Sequence, residues 1–308
     1  MSAIKIALVG VGKIARDQHI PAIAASDAFE LVAAASPHHR LEGVRNYSSV
    51  DELLAGSPQI NAVAVCTTPQ VRYQIARRAW EHGCHVMLEK PPGATLCEVS
   101  ALVDLAKQRG VTLFATWHSR EASGVAPARE WLKQRHIRRV HVEWKENVRT
   151  WHPGQSWIWQ AGGLGVFDPG INALSILTRI LPGTLVMQDA ELSVPANCQT
   201  PIAARLQLAN EYGTTVSMEL DFLEPREQRW NIDIDTDDGH LQLSQYGAVL
   251  RINGETRLST NDVEYQKLYA HFAHLIAEHR IDVDVAPLML VADAFLCGRR
   301  IEVAPFIE

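Results

Sequence analysis

Residues 4–15 read Ile4-Lys5-Ile6-Ala7-Leu8-Val9-Gly10-Val11-Gly12-Lys13-Ile14-Ala15, an apolar run followed by a G-x-G-x-x-A turn. The apolar run predicts a buried strand over Ile4–Val9, and the turn predicts the start of a helix. Gly10 permits the tight turn, Gly12 lets backbone amides approach a pyrophosphate, and the small Ala15 allows helix and strand to pack closely. Because a helix start also attracts anions, the pattern favours a nucleotide-binding turn over a purely structural glycine turn.

The first third of the chain continues as an alternation of short apolar runs and helical patterns. Further strands are predicted at Glu30–Ala35, Ala62–Cys66, His85–Glu89 and Thr112–Thr116, with helices at Val71–Glu81 and Leu96–Arg109. This alternation is typical of a parallel sheet that is covered by helices on both faces. We therefore predict an α/β Rossmann domain, built on a doubly wound parallel sheet, over residues 1–120.

The remainder of the chain has a different periodicity. Apolar residues recur at every second position over residues 140–144, 216–222 and 230–234. Such segments suit an antiparallel sheet with one face on a core and the other face wetter. We predict an α+β domain with a large open, mainly antiparallel sheet over residues 121–308. Two helices are predicted to close it, at roughly Glu264–Glu278 and Pro287–Arg300.

Composition excludes several classes of protein. The 308 residues carry a net charge of -6, which argues against a nucleic-acid-binding protein with its basic excess. No apolar run approaches the ~18 residues of a membrane helix, and the start Met1-Ser2-Ala3-Ile4-Lys5 lacks the pattern of an export signal. The 5 cysteines have no CxxC spacing and the 13 histidines form no HExxH motif, so we expect no disulfide framework and no metal site. A soluble, cytoplasmic protein is expected, with no nucleic-acid or membrane partner.

The segment after the second predicted strand bears on the choice of nucleotide. It reads Ser36-Pro37-His38-His39-Arg40, without the carboxylate that usually binds a ribose 2′-hydroxyl. A carboxylate would repel a 2′-phosphate, whereas the Ser36 hydroxyl and the side chains of His38 and Arg40 can bind one. We therefore predict that NADP is accepted, alone or alongside NAD. The alternative is that this segment is only a polar loop.

Two more strand ends carry polar side chains, in Cys66-Thr67-Thr68-Pro69 and Glu89-Lys90-Pro91-Pro92. Doubly wound sheets bind ligands at the carboxyl edge of their strands. Lys90 can instead be a surface cation, with the prolines ending the strand. The predicted cofactor-binding residues share this edge: Gly10, Gly12, Lys13, Ile14, Ser36, His38, Arg40, Cys66, Thr67, Thr68, Glu89 and Lys90.

A third stretch, 162–172, combines a glycine-rich loop with a helix start and contains Asp168-Pro169. Together with the turn at residue 10 and the Thr-Pro and Glu-Lys-Pro segments, it resembles the glucose-fructose oxidoreductase, inositol dehydrogenase and rhizopine-catabolism (Gfo/Idh/MocA) family over essentially the whole chain. That resemblance implies an NAD(P)-dependent oxidoreductase. Segments 12–19, 115–120 and 163–172 are most similar to bacterial aldose 1-dehydrogenases acting on L-arabinose or D-galactose, which implies oxidation of C1 of a pyranose to an aldonolactone.

One position departs from the family pattern. The family usually has a His four residues after the Asp, and here that residue is Asn172. The acid–base role therefore falls on Asp168 or Lys90. Oxidation of a hemiacetal needs a base within hydrogen-bond reach of the C1 hydroxyl while the hydride leaves for the nicotinamide. We predict Asp168 as the base and Lys90 as its electrostatic partner, with the reverse assignment left open. Asn172 completes the predicted catalytic set.

Asp168 and Asn172 also have structural interpretations. Asp followed by Pro is a common helix start, with Asp as N-cap and Pro at the first helical position. Asn172 then follows on the same helix start, where its amide can bind one sugar hydroxyl or can simply face solvent.

Sugar recognition also needs flat apolar surfaces and polar groups. The segment 146–153 is rich in both, so we predict that Glu146, Trp151 and His152 bind the sugar, together with His118. His118 can instead be a hydrogen-bonded structural histidine. Trp230 is a further candidate, but its alternation with apolar neighbours also fits core burial.

Two other functions remain open from the sequence. One is hydride transfer at another ring carbon, as in inositol or glucose 3-dehydrogenases, and the other is a non-catalytic sensor of nucleotide and sugar. The resemblance implies a homodimer or larger oligomer formed through the open sheet. Against such a buried face, outward positions of the predicted strands are acidic: Glu219, Asp221, Asp233 and Asp235.

Overall fold

The computed structural model describes residues 3–224, 227–260 and 263–308. Its strands are β1 Ile4–Val9, β2 Phe29–Ala35, β3 Arg45–Tyr47, β4 Ala62–Val65, β5 His85–Leu88, β6 Leu113–Ala115, β7 Ile137–Lys145, β8 Val186–Pro195, β9 Ala203–Ala209, β10 Thr215–Asp221, β11 Arg229–Thr236, β12 His240–Ser244, β13 Val249–Ile252, β14 Glu255–Ser259 and β15 Arg299–Val303. Its α-helices are α1 Ile20–Ala24, α2 Val50–Gly56, α3 Pro69–Glu81, α4 Leu96–Arg109, α5 Val125–Leu132, α6 Val148–Trp151, α7 Phe167–Ile180, α8 Glu264–Ala277 and α9 Ala286–Cys297. A π-helical turn, Ala15–His19, leads into α1.

The chain divides into two compact units. The first unit runs to His118 and also contains Tyr265–Val285. Its sheet has the strand order β3-β2-β1-β4-β5-β6, and every pairing is parallel. This is the order of a doubly wound Rossmann sheet. Successive strands are added on one side of β1 up to β3, and from β4 onward they are added on the other side. The predicted Rossmann fold is therefore confirmed.

The central strands β1 and β4 are apolar on both faces, and each face is covered by its own hydrophobic core. One core contains side chains of α2, α3 and α4, among them Leu53, Trp80 and Leu102. The opposite core contains α1 and α8, with Tyr269 and Phe272 fully buried. Complete burial of one such side chain contributes roughly 1.5–3 kcal/mol.

Helix α8 is where the observed division differs from the predicted domains, 1–120 and 121–308. The break near residue 120 agrees with the end of the first segment at His118. Residues 265–285, however, return to the first unit, because the apolar stripe of α8 packs on the parallel sheet. Hydrophobic periodicity predicted the helix, but it does not specify which of two sheets the helix covers.

The second unit is built on a sheet of strand order β14-β13-β12-β11-β7-β10-β9-β8-β15. Its pairings are antiparallel except between β7 and β10 and between β8 and β15. Val142 of β7 and Met218 of β10 are buried on the face covered by helices, as the period of two predicted. This confirms the large, mainly antiparallel sheet. The predicted helix Pro287–Arg300 is too long, because α9 ends at Cys297 and Arg299–Val303 forms β15.

The other face of this sheet carries paired charges. Lys145 lies 2.6 Å from Glu219 and Arg139 lies 2.6 Å from Asp235, while His240 lies 3.2 Å from Asp233. The hydrogen bond from Lys145 lowers the pKa of Glu219. Glu219 and Asp235 are therefore compensated by neighbouring cations, which reduces the repulsion that the sequence suggested for this face.

Within residues 3–224, 227–260 and 263–308, no helix has both the length and the apolar character needed to span a membrane. All five cysteines are free thiols.

Candidate active site

The glycine turn lies against the end of β4. Gly10 has a φ of +94°, and a Cβ there would lie 2.9 Å from the carbonyl carbon of Cys66 and from the amide nitrogen of Thr67. Only glycine tolerates both the backbone conformation and this close approach. The Gly10 N–H also donates a hydrogen bond of 2.9 Å to the carbonyl of Ala35. The turn, the Cys66–Thr68 segment and the end of β2 therefore meet at one edge of the sheet.

The atoms at this edge fit a dinucleotide. A Cβ on Gly12 would meet nothing within 4 Å, so its backbone borders open space. The buried Thr67 hydroxyl has no hydrogen-bond partner within the described part of the chain, which leaves it able to bind a ligand. The amides of residues 10–14 and the Thr67 hydroxyl would hold the cofactor, which supplies hydride transfer when it is bound.

Further cofactor candidates, on the glycine turn and after β2, lie at or near the surface of the same unit. Lys13 is exposed and forms an ion pair with Asp17. Ser36 Oγ accepts a hydrogen bond of 3.2 Å from the His39 backbone, so this hydroxyl also shapes the loop. His38 and Arg40 are exposed. Ile14 precedes the π-helical turn.

Arg72 of α3 is a residue that sequence reasoning missed. It is 5% exposed, and its guanidinium donates to the carbonyl of Thr67 at 2.6 and 2.9 Å. It also donates to the carbonyls of Glu89 and Pro91. One side chain thus joins the two strand ends that carry Thr67 and Lys90. Nothing in the local sequence distinguishes it from the exposed arginines of the same helix.

Glu89, predicted as a cofactor-binding residue, contacts other groups of the protein through both carboxylate oxygens. Its side chain is buried, and its Oε1 lies 3.1 Å from His19 Nε2 and accepts a hydrogen bond of 2.6 Å from Tyr265. Its Oε2 accepts a hydrogen bond of 2.9 Å from the Lys90 backbone. Both oxygens are therefore used inside the protein. The His118 ring stacks on Tyr265 at 5.5 Å, so His118 also borders this network.

In the second unit, Asp168 is not a helix cap. Helix α7 begins at Phe167, its N-cap residue is Val166, and no side chain caps it. Asp168 is the second helical residue, where its charge complements the helix dipole. Asn172 is 7% exposed, so it is not a solvent-facing residue. The alternatives, a helix cap for Asp168 and a solvent-facing position for Asn172, are therefore wrong.

Three of the predicted residues converge beside the start of α7. His152 Nε2 lies 3.6 Å from Glu146 Oε1 and 3.8 Å from Asp168 Oδ2. Glu146 is 2% exposed and Asp168 is 5% exposed. An imidazole between two buried carboxylates separates their like charges and offers a proton acceptor on either side. An arrangement of this kind can take up a proton from a bound hydroxyl.

Aromatic rings surround Glu146. Trp230 Nε1 donates a hydrogen bond of 3.1 Å to Glu146 Oε2, and the Tyr246 hydroxyl donates one of 3.3 Å to the same atom. The rings of Trp230 and Tyr246 stack at 3.9 Å, and Trp151 meets Trp230 edge-on at 6.0 Å. Burial and the Glu146 carboxylate raise the pKa of Tyr246 far above its ordinary value, so the phenol remains a donor.

Trp230 thus belongs to the cluster, and Tyr246 is a further member that the sequence did not indicate. Tyr246 lies in a short turn with a left-handed φ of 58°. Exposed sugar C–H faces pack well on such rings, while buried acceptors bind hydroxyls. The cluster has both kinds of group, which suits a polyhydroxylated ring.

Comparisons with known proteins agree with these observations. Residues 4–116 match the Gfo/Idh/MocA model, described as an oxidoreductase family with an NAD-binding Rossmann fold. The chain is 44% identical to galactose 1-dehydrogenase of Pseudomonas fluorescens, over 100% of both chains. The crystal structure of D-galactose-1-dehydrogenase from Rhizobium etli has 50% identity and a TM-score of 0.95, covering 100% of this chain and 99% of that one. D-glucoside 3-dehydrogenase of Escherichia coli (strain K12) is 28% identical over 58% of this chain and 54% of its own. The matches confirm the predicted oxidoreductase class and nicotinamide dinucleotide cofactor.

Proposed function

The chain belongs to the Gfo/Idh/MocA family of oxidoreductases, and we propose that it is an NAD(P)-dependent aldose 1-dehydrogenase. Its substrate would be L-arabinose, D-galactose or both, oxidised at C1 to the aldonolactone. The observation that carries this proposal is the cluster of Glu146, His152 and Asp168 beside the Trp230 and Tyr246 rings. The full-length similarity to two galactose 1-dehydrogenases supports the choice of sugar.

In the proposed reaction Asp168 accepts the proton of the C1 hydroxyl while the hydride passes to the cofactor. A carboxylate held on the first turn of α7 has little freedom, which favours a short, well-oriented hydrogen bond. His152, 3.8 Å away, limits the repulsion between Asp168 and Glu146. Asn172, Trp151 and Glu146 would orient the remaining hydroxyls and the ring. The roles of Lys90 as electrostatic partner and of His118 at the sugar stay predictions from the sequence.

Substrate selectivity follows from sugar stereochemistry. L-Arabinose and D-galactose share the configuration at C2 to C4 and differ by the hydroxymethyl group on C5. Apolar volume alone discriminates only about 10–200-fold per group, so use of both sugars is expected. Glucose inverts one hydroxyl and would leave a buried polar partner unpaired, so we expect stronger rejection.

A sugar panel tests the proposal. Reduction of NAD and NADP would be followed with L-arabinose, D-galactose, D-glucose and myo-inositol, and the product would be identified. Formation of a lactone that hydrolyses to an aldonic acid supports C1 oxidation. A keto sugar would support oxidation at another ring carbon, the alternative to which the similarity with D-glucoside 3-dehydrogenase points. Binding of nucleotide and sugar without turnover would instead indicate a sensor.

The proposal also includes a cytoplasmic location and a homo-oligomer. Five free thiols suit a reducing compartment. Compensated charges on the open sheet face are compatible with a second copy of the chain. Mass measurement in solution tests the oligomer.

A further inference from the structure

A buried ion pair includes Glu89, the sequence neighbour of Lys90, and no step of the proposed reaction uses this pair. His19 is 0% exposed and Glu89 is 2% exposed. Their side chains meet at 3.1 Å, between His19 Nε2 and Glu89 Oε1. The two residues come from different elements, the π-helical turn after the glycine turn and the segment that follows β5.

The pair is fully enclosed by hydrogen-bonding neighbours. Tyr269 meets His19 Nδ1 at 2.8 Å, and Tyr265 donates to Glu89 Oε1 at 2.6 Å. The second carboxylate oxygen of Glu89 accepts the backbone N–H of Lys90 at 2.9 Å. The network therefore connects three parts of the first unit: helix α8, the π-helical turn that follows the glycine turn, and the backbone of Lys90.

Charge considerations support an ionised pair. Burial lowers the pKa of His19, but Cys66, Tyr269 and Glu89 outweigh burial and raise it well above its ordinary value. Burial raises the pKa of Glu89, but the hydrogen bond and charge of His19, the charge of His118 and the Tyr265 hydroxyl lower it further. At neutral pH the imidazolium therefore compensates the carboxylate.

Such a pair is weak evidence for stability, because desolvation offsets much of its attraction. The local backbone is also unusual, since His19 ends a π-helical turn, and insertions of this kind are frequent at functional sites. A buried pair that hydrogen-bonds the backbone of the proposed electrostatic residue can instead fix the position of that residue.

We propose that His19 and Glu89 are positioning residues that hold the Lys90 backbone and keep the buried carboxylate charge-compensated beside it. The inference rests on the proposed function for its effect on rate, since it assigns Lys90 to the reaction. Glu89 acts through its hydrogen bond to the Lys90 amide, and His19 acts by holding Glu89 ionised and oriented. Neither residue needs to touch the sugar.

The test uses the full chain with His19→Gln, Glu89→Gln and the double variant. Loss of positioning is expected to lower kcat about 10- to 100-fold while the KM for the sugar changes little. The double variant should lose about as much as either single variant, because the two side chains act as one unit. His85→Gln is the matched control, since His85 is a partly buried histidine at the opposite end of β5 and should keep its kcat.

A second readout does not depend on turnover. Lysines would be dimethylated with ¹³C, and the Lys90 resonance would be assigned with Lys90→Arg. We expect the chemical shift of this resonance to change in His19→Gln and Glu89→Gln and to stay the same in His85→Gln. If the Lys90 chemical shift changes but no aldose is oxidised, the positioning inference stands and the proposed function falls.

A folded His19→Gln protein that oxidises sugar at the wild-type kcat, with an unchanged Lys90 chemical shift, would overturn the inference. Should both single variants fail to fold, Tyr265→Phe takes away the hydrogen bond from the Tyr265 hydroxyl to Glu89 and keeps the His19 and Glu89 side chains. It should lower kcat severalfold in a protein with an unchanged circular dichroism spectrum. An unchanged kcat in that variant would equally refute the proposal.

Discussion

Asp168→Asn is the change that separates catalysis from structure most clearly. It replaces one carboxylate oxygen by an amide group of nearly the same shape and removes the ability to accept a proton. Because Asp168 is the second residue of α7 and not its cap, the substitution leaves the end of the helix otherwise intact.

The substitution is expected to have a large effect on kcat and a small effect on the free energy of unfolding. A positioned general base contributes about 10²–10⁴-fold, so kcat should fall by that factor. This corresponds to roughly 3–5 kcal/mol in the activation free energy, at about 1.36 kcal/mol per factor of ten. The free energy of unfolding loses only the favourable interaction of the charge with the helix dipole, about 0.3–1 kcal/mol. Loss of one of two carboxylates near His152 offsets part of this cost.

The assay measures kcat and KM with saturating cofactor, together with the unfolding midpoint in urea. Asp189→Asn, the same chemical change at an exposed position of β8, is the control and should keep both values. A folded Asp168→Asn protein with near-normal kcat would refute the reasoning. In that event Lys90→Met should abolish turnover, which would support the reversed assignment of base and electrostatic partner.

Four further predictions follow from the same geometry. Ser36→Asp should lower kcat/KM for NADP at least about tenfold relative to NAD, because like charges repel; an unchanged ratio of the two would contradict the assigned role of the loop. Gly10→Ala should cost about 1–2 kcal/mol of unfolding free energy, since its φ is +94°, and should weaken cofactor binding in a titration; retention of both would argue against the close approach. Trp230→Phe keeps a ring but removes the donor to Glu146, so the sugar KM should rise about 2- to 13-fold with cofactor affinity unchanged. The pKa of His19 is raised in the folded state, so the charge of His19 contributes its full stabilisation below the unfolded-state pKa of about 6.5. This contribution is lost as pH rises through the higher folded-state pKa. The difference in Tm between wild type and His19→Gln should therefore narrow at alkaline pH, and a constant difference would contradict this.

Local patterns determined much of the fold. The strand Ile4–Val9 and the helix Leu96–Arg109 have the predicted bounds, because side-chain periodicity is a property of consecutive residues. The need for glycine at position 10 is likewise predictable from the sequence, because this residue must adopt a positive φ and lie close to the end of β4. The candidates at 146, 152 and 168 were found from residue type and family resemblance.

Tertiary packing decided how those residues meet. Tyr246 lies 100 positions from Glu146, and Tyr265 lies 176 positions from Glu89, yet each pair is hydrogen-bonded. No periodicity connects residues at such separations, because their contact depends on which faces of two sheets are covered by which helices. The same reason explains why the sequence places α8 in the second domain, whereas in the structure it packs on the sheet of the first unit. A sequence specifies these contacts only through the packing of the whole core, whose many weak interactions cannot be read from one segment at a time.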